Sequence, residues 1–106
     1  MTPVERKFEV AVASCSAAKT RRMFGCPCVC TPRGKVVAIF SMGRMMFKLD
    51  GRAGRAALKI PGARIGTHIF DTSRPMRGWV WIPAGKPGIW TAWLRRALRQ
   101  AELTHT

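Results

Sequence analysis

Acidic residues are scarce in this chain. Its 106 residues include 5 Asp+Glu against 19 Lys+Arg, which gives a formal net charge of +14. The acids are Glu5, Glu9, Asp50, Asp71 and Glu102. A carboxylate pair for acid–base chemistry would have to come from these five, four of which fall near expected element ends. Histidine is scarcer still, with only His68 and His105, so a Ser/His/Asp set has little choice of base. Neither a Gly-x4-Gly-Lys-Ser/Thr loop nor a Gly-x-Gly-x-x-Gly turn occurs. Catalysis is therefore not expected, and neither is a cofactor. The longest apolar run is about Val36 to Met42, far short of a membrane-spanning helix. There are four cysteines, three of them crowded into Cys26, Cys28 and Cys30. They are too few and too clustered for a disulfide-stapled secreted fold.

What is present is an ordinary apolar content of 47%, enough for one core, and the length suits one domain over residues 1–106. The bases are dispersed. Seven fall between Glu9 and Asp50 and six between Asp71 and Glu102, with no block of five or six together, no internal repeat and no low-complexity linker. Thirteen of the 19 are Arg, a bias that suits phosphate forks but also follows from a genome of skewed base composition.

Val12-Ala13-Ser14-Cys15 looks like a lipoprotein cleavage box, but Glu9 interrupts the apolar stretch before it and leaves too little for an export signal. The same residues fit an amphipathic helix over Val4–Ala18, with Val4, Phe8, Val12 and Cys15 at helical spacing. A cytoplasmic protein is expected.

After Arg22 the pattern changes to strands. Met23–Thr31 carries Pro27, which cannot donate to a ladder, so this strand is expected at an edge or with a bulge. Thr31-Pro32-Arg33-Gly34 reads as a turn, Val36–Met42 as a strand buried on both faces, Gly43-Arg44 as a second turn and Met45–Leu49 as a third strand. Asp50 is placed to cap a helix running to Lys59 that Pro61-Gly62 stops. Arg64–Phe70 is a weakly patterned strand and Asp71–Pro75 a loop. Met76–Ile82 is a strand with Trp79 and Trp81 on one face and Val80 and Ile82 on the other. A last helix over Pro87–Leu103 carries Trp90, Trp93, Leu94, Ala97, Leu98 and Ala101 as one stripe. The expected fold class is α+β, a single domain in the order α-β(3)-α-β(2)-α with an antiparallel-rich sheet.

Two motifs then carry a resemblance. Arg22-Met23-Phe24-Gly25 after a first helix, and Arg74-Pro75-Met76-Arg77-Gly78-Trp79-Val80 before a Trp- and Leu-bearing last helix, are similar to the two signatures of the TfoX/Sxy N-terminal domain family. The resemblance spans nearly the whole chain and is to the stand-alone form. It implies a secretion-chaperone-like fold, a bacterial regulatory role linked to competence or transcription, and no catalytic residue or cofactor. Folds of that type often dimerise, so a homodimer is one expected state.

Physically, Met23 and Phe24 read as core anchors beside a bend at Gly25, and Pro75, Met76, Gly78 and Trp79 as packing residues. Arg22, Arg74 and Arg77 form a candidate anion or partner contact. The alternative is that one of them pairs with Asp71 and the others are solvated. Cys26, Cys28 and Cys30 share a strand face. As metal ligands they lack a second Cys or His pair, His68 being the one candidate fourth ligand. The alternatives are small core residues or a thiol switch. Two function classes remain, a non-enzymatic adaptor with a protein partner and a nucleic-acid-binding module using the +14 surface. No membrane partner is expected.

Overall fold

The structure, a computed structural model, describes residues 2–103. Helix α1 (Pro3–Ala13) begins with a reciprocal cap: Thr2 N–H donates to Glu5 Oε1 (3.0 Å) and Glu5 N–H to Thr2 Oγ1 (3.1 Å). These bonds hold the Glu5 carboxyl below its ordinary value. The helix stops at Ser14, whose hydroxyl donates back to Val10 O (2.7 Å), and does not reach Ala18.

Six strands follow, β1 (Lys19–Met23), β2 (Cys26–Cys30), β3 (Val36–Ser41), β4 (Arg44–Lys48), β5 (Arg64–His68) and β6 (Asp71–Ile82), with α2 (Gly51–Leu58) after β4 and α3 (Ile89–Leu103) last. They form one sheet in the order β1-β2-β3-β4-β6-β5, every pairing antiparallel. The α+β class stands, but four strands precede α2 where three were expected. The extra one is β1, Lys-Thr-Arg-Arg-Met, an edge strand whose side chains face mostly solvent and so carry no apolar alternation. Pro27 consequently lies in an interior strand. It pairs with Arg22 of β1 at a level where the β2–β3 ladder has already ended, so its missing N–H breaks no bond on that side. The strand does contain the bulge that was the other expectation, at the register shift between Val29 and Cys30. Residues 71–75, expected as a loop, are the start of the 12-residue β6. Asp50 stands at the N-cap of α2, but its side chain makes no cap bond. Gln100 of α3 instead grips the Asp50 backbone, Oε1 accepting from N–H (2.9 Å) and Nε2 donating to O (3.0 Å).

The hairpins β1–β2 and β3–β4 both close through two-residue turns, Phe24-Gly25 (φ 54° and 78°) and Met42-Gly43 (φ 51° and 77°). Positive φ at both central residues is the type I′ geometry that matches strand twist and that favours Asn-Gly. Phe and Met are poor occupants, since a side chain in the left-handed region costs about 1–2 kcal/mol. Met42 is 89% exposed, so burial does not offset this cost. Met42→Asn is therefore expected to raise stability by about 1 kcal/mol, a rise in melting temperature of about 4 °C or more in calorimetry. An unchanged or lower melting temperature would contradict the turn assignment.

All three helices cover one face of the sheet, burying Phe8, Phe40, Met45, Phe47, Leu49, Val80, Ile82, Trp90 and Leu94. Each such side chain contributes on the order of 1.5–3 kcal/mol by leaving water. The α3 stripe buries as its spacing predicts, with Trp93 at its partly exposed margin, and Trp90 Nε1–H donates to Ile82 O (2.9 Å). Helix α1 has no basic residue in its last turn, and Arg95 of α3 donates to Ser14 O (3.1 Å) at that end instead.

No described helix covers the opposite face, yet Cys28, Cys30, Ile39, Met46 and Trp81 are buried there. Their cover is the far part of the β5–β6 hairpin, which packs Ile69 and Met76 onto this second core beside Trp79 of the sheet itself. The β5–β6 register slips between Ile65 and His68, where several extra β6 residues are accommodated and the hairpin bends. Gly78 (φ 81°) and Gly66 sit at that bend. A Cβ on Gly66 would run into the Cβ and backbone carbonyl of Trp79. Beyond it, residues 66–78 form an arm that lies back across the sheet. Asp71–Gly78 can extend about 23 Å, enough to cross the roughly 14 Å from β6 to β2. At the far side its tip meets the β1–β2 turn: the Phe24 ring lies 5.8 Å from Phe70 and 6.5 Å from His68. Trp81 Nε1–H donates to Thr67 Oγ1 (2.9 Å), and the Arg44 guanidinium stands 4.7 Å over the Trp81 ring, which fixes the base of the arm.

Candidate binding surfaces

Two surfaces stand out chemically. The first is a groove of about 510 Å³ between the first half of α1 and the segment joining β6 to α3. Pro3, Val10, Pro87, Ile89 and Trp90 give it apolar walls. Arg6, Lys7 and Lys86 supply its charge, and none of the described residues lining it is acidic. Lys7 Nζ donates to Ala84 O (2.8 Å) across the groove, which ties the two walls together. The first turn of α3, which opens onto it, carries no acid to offset the positive end of the helix dipole. Val10 is on the solvent side of an otherwise amphipathic helix and remains 53% exposed in this groove. That exposed valine was the one sequence signal for the site, and periodicity alone counts it as noise.

The second surface is the arm tip. Phe24 is 64% exposed and Phe70 68% exposed, in edge-on contact with an interplanar angle of 78°. His68 completes a three-ring cluster, 5.9 Å from Phe70, and its Nδ1 accepts from Phe70 N–H (3.2 Å). The expectation that Phe24 is a core anchor is thus corrected, because its left-handed backbone turns the ring outward. Met23, Met76 and Trp79 do pack against the second core, Gly25 and Gly78 take positive φ, and Pro75 sits exposed on β6 opposite Thr67.

The three candidate arginines are not one cluster. Arg22 is exposed on β1, its Nη2–H donating to Gly25 O (3.2 Å) in the turn that carries Phe24, and it shares a recess with Glu5 and Glu9. Arg74 lies near Asp71 at the arm tip, and Arg77 is exposed nearer the bend. Arg22 is thus tied to the turn that carries Phe24 but turned toward α1, and Arg74 stands at the arm tip. The Asp71 carboxylate accepts from the Ser73 N–H and hydroxyl. Those bonds first, then the charge of Arg74, hold it below its ordinary value.

Cys26, Cys28 and Cys30 share the arm-side face as expected. All are free thiols, and Cys28 and Cys30 are buried in the second core. Burial first, and the neighbouring Cys30 second, push the Cys28 thiol up. Among the described residues no group of three or more His, Cys, Asp or Glu could hold a metal ion. His68 is engaged in its own turn, and His105 lies outside the described residues. The free edges of the sheet are β1 and β5. Lys19, Arg21 and Arg22 on β1 set like charges against a second copy pairing there. No described helix is long and apolar enough to cross a membrane. No family model matches the chain, and no curated protein or solved structure shows significant similarity to it.

Proposed function

We propose that the chain is a non-enzymatic regulatory or adaptor domain that binds an acidic segment of a partner protein in the groove between α1 and α3. The observation that carries this reading is the groove itself, an apolar trough with Arg6, Lys7 and Lys86 around it and no acid among its described lining. A segment that places Leu or Phe in the trough and Glu or Asp at its rim satisfies both features. The likeness of Arg22–Gly25 and Arg74–Val80 to the TfoX/Sxy N-terminal signatures supports placing the regulation in bacterial competence or transcription, in the cytoplasm.

The test uses a fluorescent amphipathic peptide with Leu at i, i+3, i+4 and i+7 and Glu elsewhere, titrated against the folded protein. The same peptide with Lys for Glu serves as control. Binding of the acidic form that weakens at least about tenfold, about 1.4 kcal/mol, in Val10→Glu and in Arg6→Ala/Lys86→Ala is the expected result. Equal binding of the acidic and basic peptides, or indifference to both variants, would remove the reading.

A second reading is favoured by a separate observation, the exposed rings at the arm tip. On that reading the chain is a nucleic-acid-binding module that uses its +14 charge.

A further inference from the structure

We infer that the ring cluster of Phe24, His68 and Phe70 is a stacking site for single-stranded nucleic acid, with Arg74 holding a flanking phosphate. This inference rests on the nucleic-acid reading and gives it a location and a strand preference.

The turn itself is the first argument. Phe24 occupies a left-handed position (φ 54°) that Asn or Gly fills without strain, and it leaves its ring largely in water. Neither local backbone preference nor burial accounts for a phenyl group there. Met42 shares that strain and exposure, so what points to a ligand at Phe24 is its grouping with the exposed Phe70 and with His68.

The second argument is pre-organisation. Phe24 comes from one edge of the sheet and Phe70 from the tip of an arm rooted at the other. Their contact, with His68 against both, limits the motion of each ring without covering it. Exposed but braced rings lose little freedom when a base stacks on them.

The third is charge. Arg22 is bonded into the Phe24 turn and Arg74 stands beside the tip. Asp71, the acid at the tip, is already held by Ser73 and faced by Arg74, whereas Arg22 shares its recess with Glu5 and Glu9 on the α1 side. Arg74 is therefore the cation offered to a phosphate. A cation beside an aromatic pair matches a chain of alternating bases and phosphates. In a duplex the base faces are stacked inside the helix and closed to these rings, so the ligand is a single strand.

The experiment measures anisotropy with labelled oligothymidylate and oligouridylate of about 12 nucleotides, and with a duplex of equal length, at about 50 and about 200 mM salt. The proteins are the wild type, Phe24→Asn, Phe70→Ser, Arg74→Ala, and Met42→Asn as a control with the same turn type away from the site. Phe24→Asn suits the type I′ turn, so it keeps the fold while removing the ring. The expected result is single-strand binding that exceeds duplex binding. It weakens about 5- to 150-fold for each ring removed, with the salt dependence unchanged. Met42→Asn should bind as the wild type does, and Arg74→Ala should lower the salt slope by about 0.7. If duplex binds as well as single strand and the ring variants bind normally, the site is wrong and only general charge attraction remains. If no oligonucleotide binds at the lower salt, the nucleic-acid reading itself fails and the site with it.

Discussion

Trp90→Ala is expected to remove at least about 3–5 kcal/mol of stability, a large share of the roughly 5–15 kcal/mol a domain of this size has. Trp90 is 2% exposed and packs edge-on against Phe40, ring centroids 5.9 Å apart at 78°. Truncation removes the largest fully buried side chain of the α3 stripe and opens a cavity where α3 meets the sheet. It also leaves the Ile82 carbonyl without the indole donor that now meets it at 2.9 Å. Trp90→Phe separates the two effects. It keeps most of the volume and is expected to cost about 1–3 kcal/mol, mainly for the carbonyl. Denaturant unfolding followed by circular dichroism gives both numbers, with a lower midpoint and an unchanged slope. A cost under about 1 kcal/mol for Trp90→Ala would mean that α3 is not seated as described.

Gly66→Ala should have the second largest effect, and a different signature. The added methyl would meet Trp79 Cβ and the Trp79 carbonyl, and backbone cannot move aside as a flexible side-chain end can. Overpacking of this kind costs about 1–3 kcal/mol or more. Here the strain falls at the bend from which the arm folds back. The arm is expected to lift while the helix-side core stays closed, and the cysteines report which has happened. Cys28 and Cys30 lie under the arm, Cys15 lies in the helix-side core, and Cys26 is half-buried. With an aromatic disulfide reagent, the native protein should show one fast thiol, Cys26. Gly66→Ala should speed Cys28 and Cys30 by about 5- to 150-fold, the exponential of that cost if opening is a pre-equilibrium, and leave Cys15 slow. Trp90→Ala, which weakens the whole domain, should speed Cys15 as well. If Gly66→Ala speeds all four equally, the arm is no independent cover for the second core.

The parts of this structure that were legible in the sequence are those whose cause is local. The α3 stripe from Trp90 to Ala101 follows from 3.6-residue spacing, and the opposite faces of Trp79 and Val80 follow from two-residue alternation. The shared face of Cys28 and Cys30 follows from the same rule. What escaped has a remote cause. Strand β1 has no apolar side to declare itself because only one of its edges is paired and most of its side chains are in water. Residues 71–75 read as turn-forming because Asp, Ser and Pro are turn residues, but cross-strand partners Thr67 and His68 hold them in β6. The two type I′ turns were concealed by Phe24 and Met42, which contradict the preference of their positions. For the candidate sites, Arg22 and Arg74 were visible as residue types. The ring cluster required residues some 45 positions apart, Phe24 and Phe70, to meet, and no local pattern encodes that. The groove likewise joins the first helix to the segment before the last.

The strand order also bears on how the chain acquires its structure. β1 through β4 are joined as consecutive hairpins, so the first two-thirds of the sheet needs only short loop closures. The β4–β6 pairing is the exception, because α2 and β5 intervene and Met45 must find Ile82. That long closure is the natural barrier, since its entropy is lost before the contacts that reward it are made. Contacts within the β1–β4 meander then belong to the early nucleus, while the arm and the seating of Gln100 on Asp50 come after the barrier. A weakened Met42 turn should slow folding, and a weakened arm should hasten unfolding and leave the folding rate nearly alone.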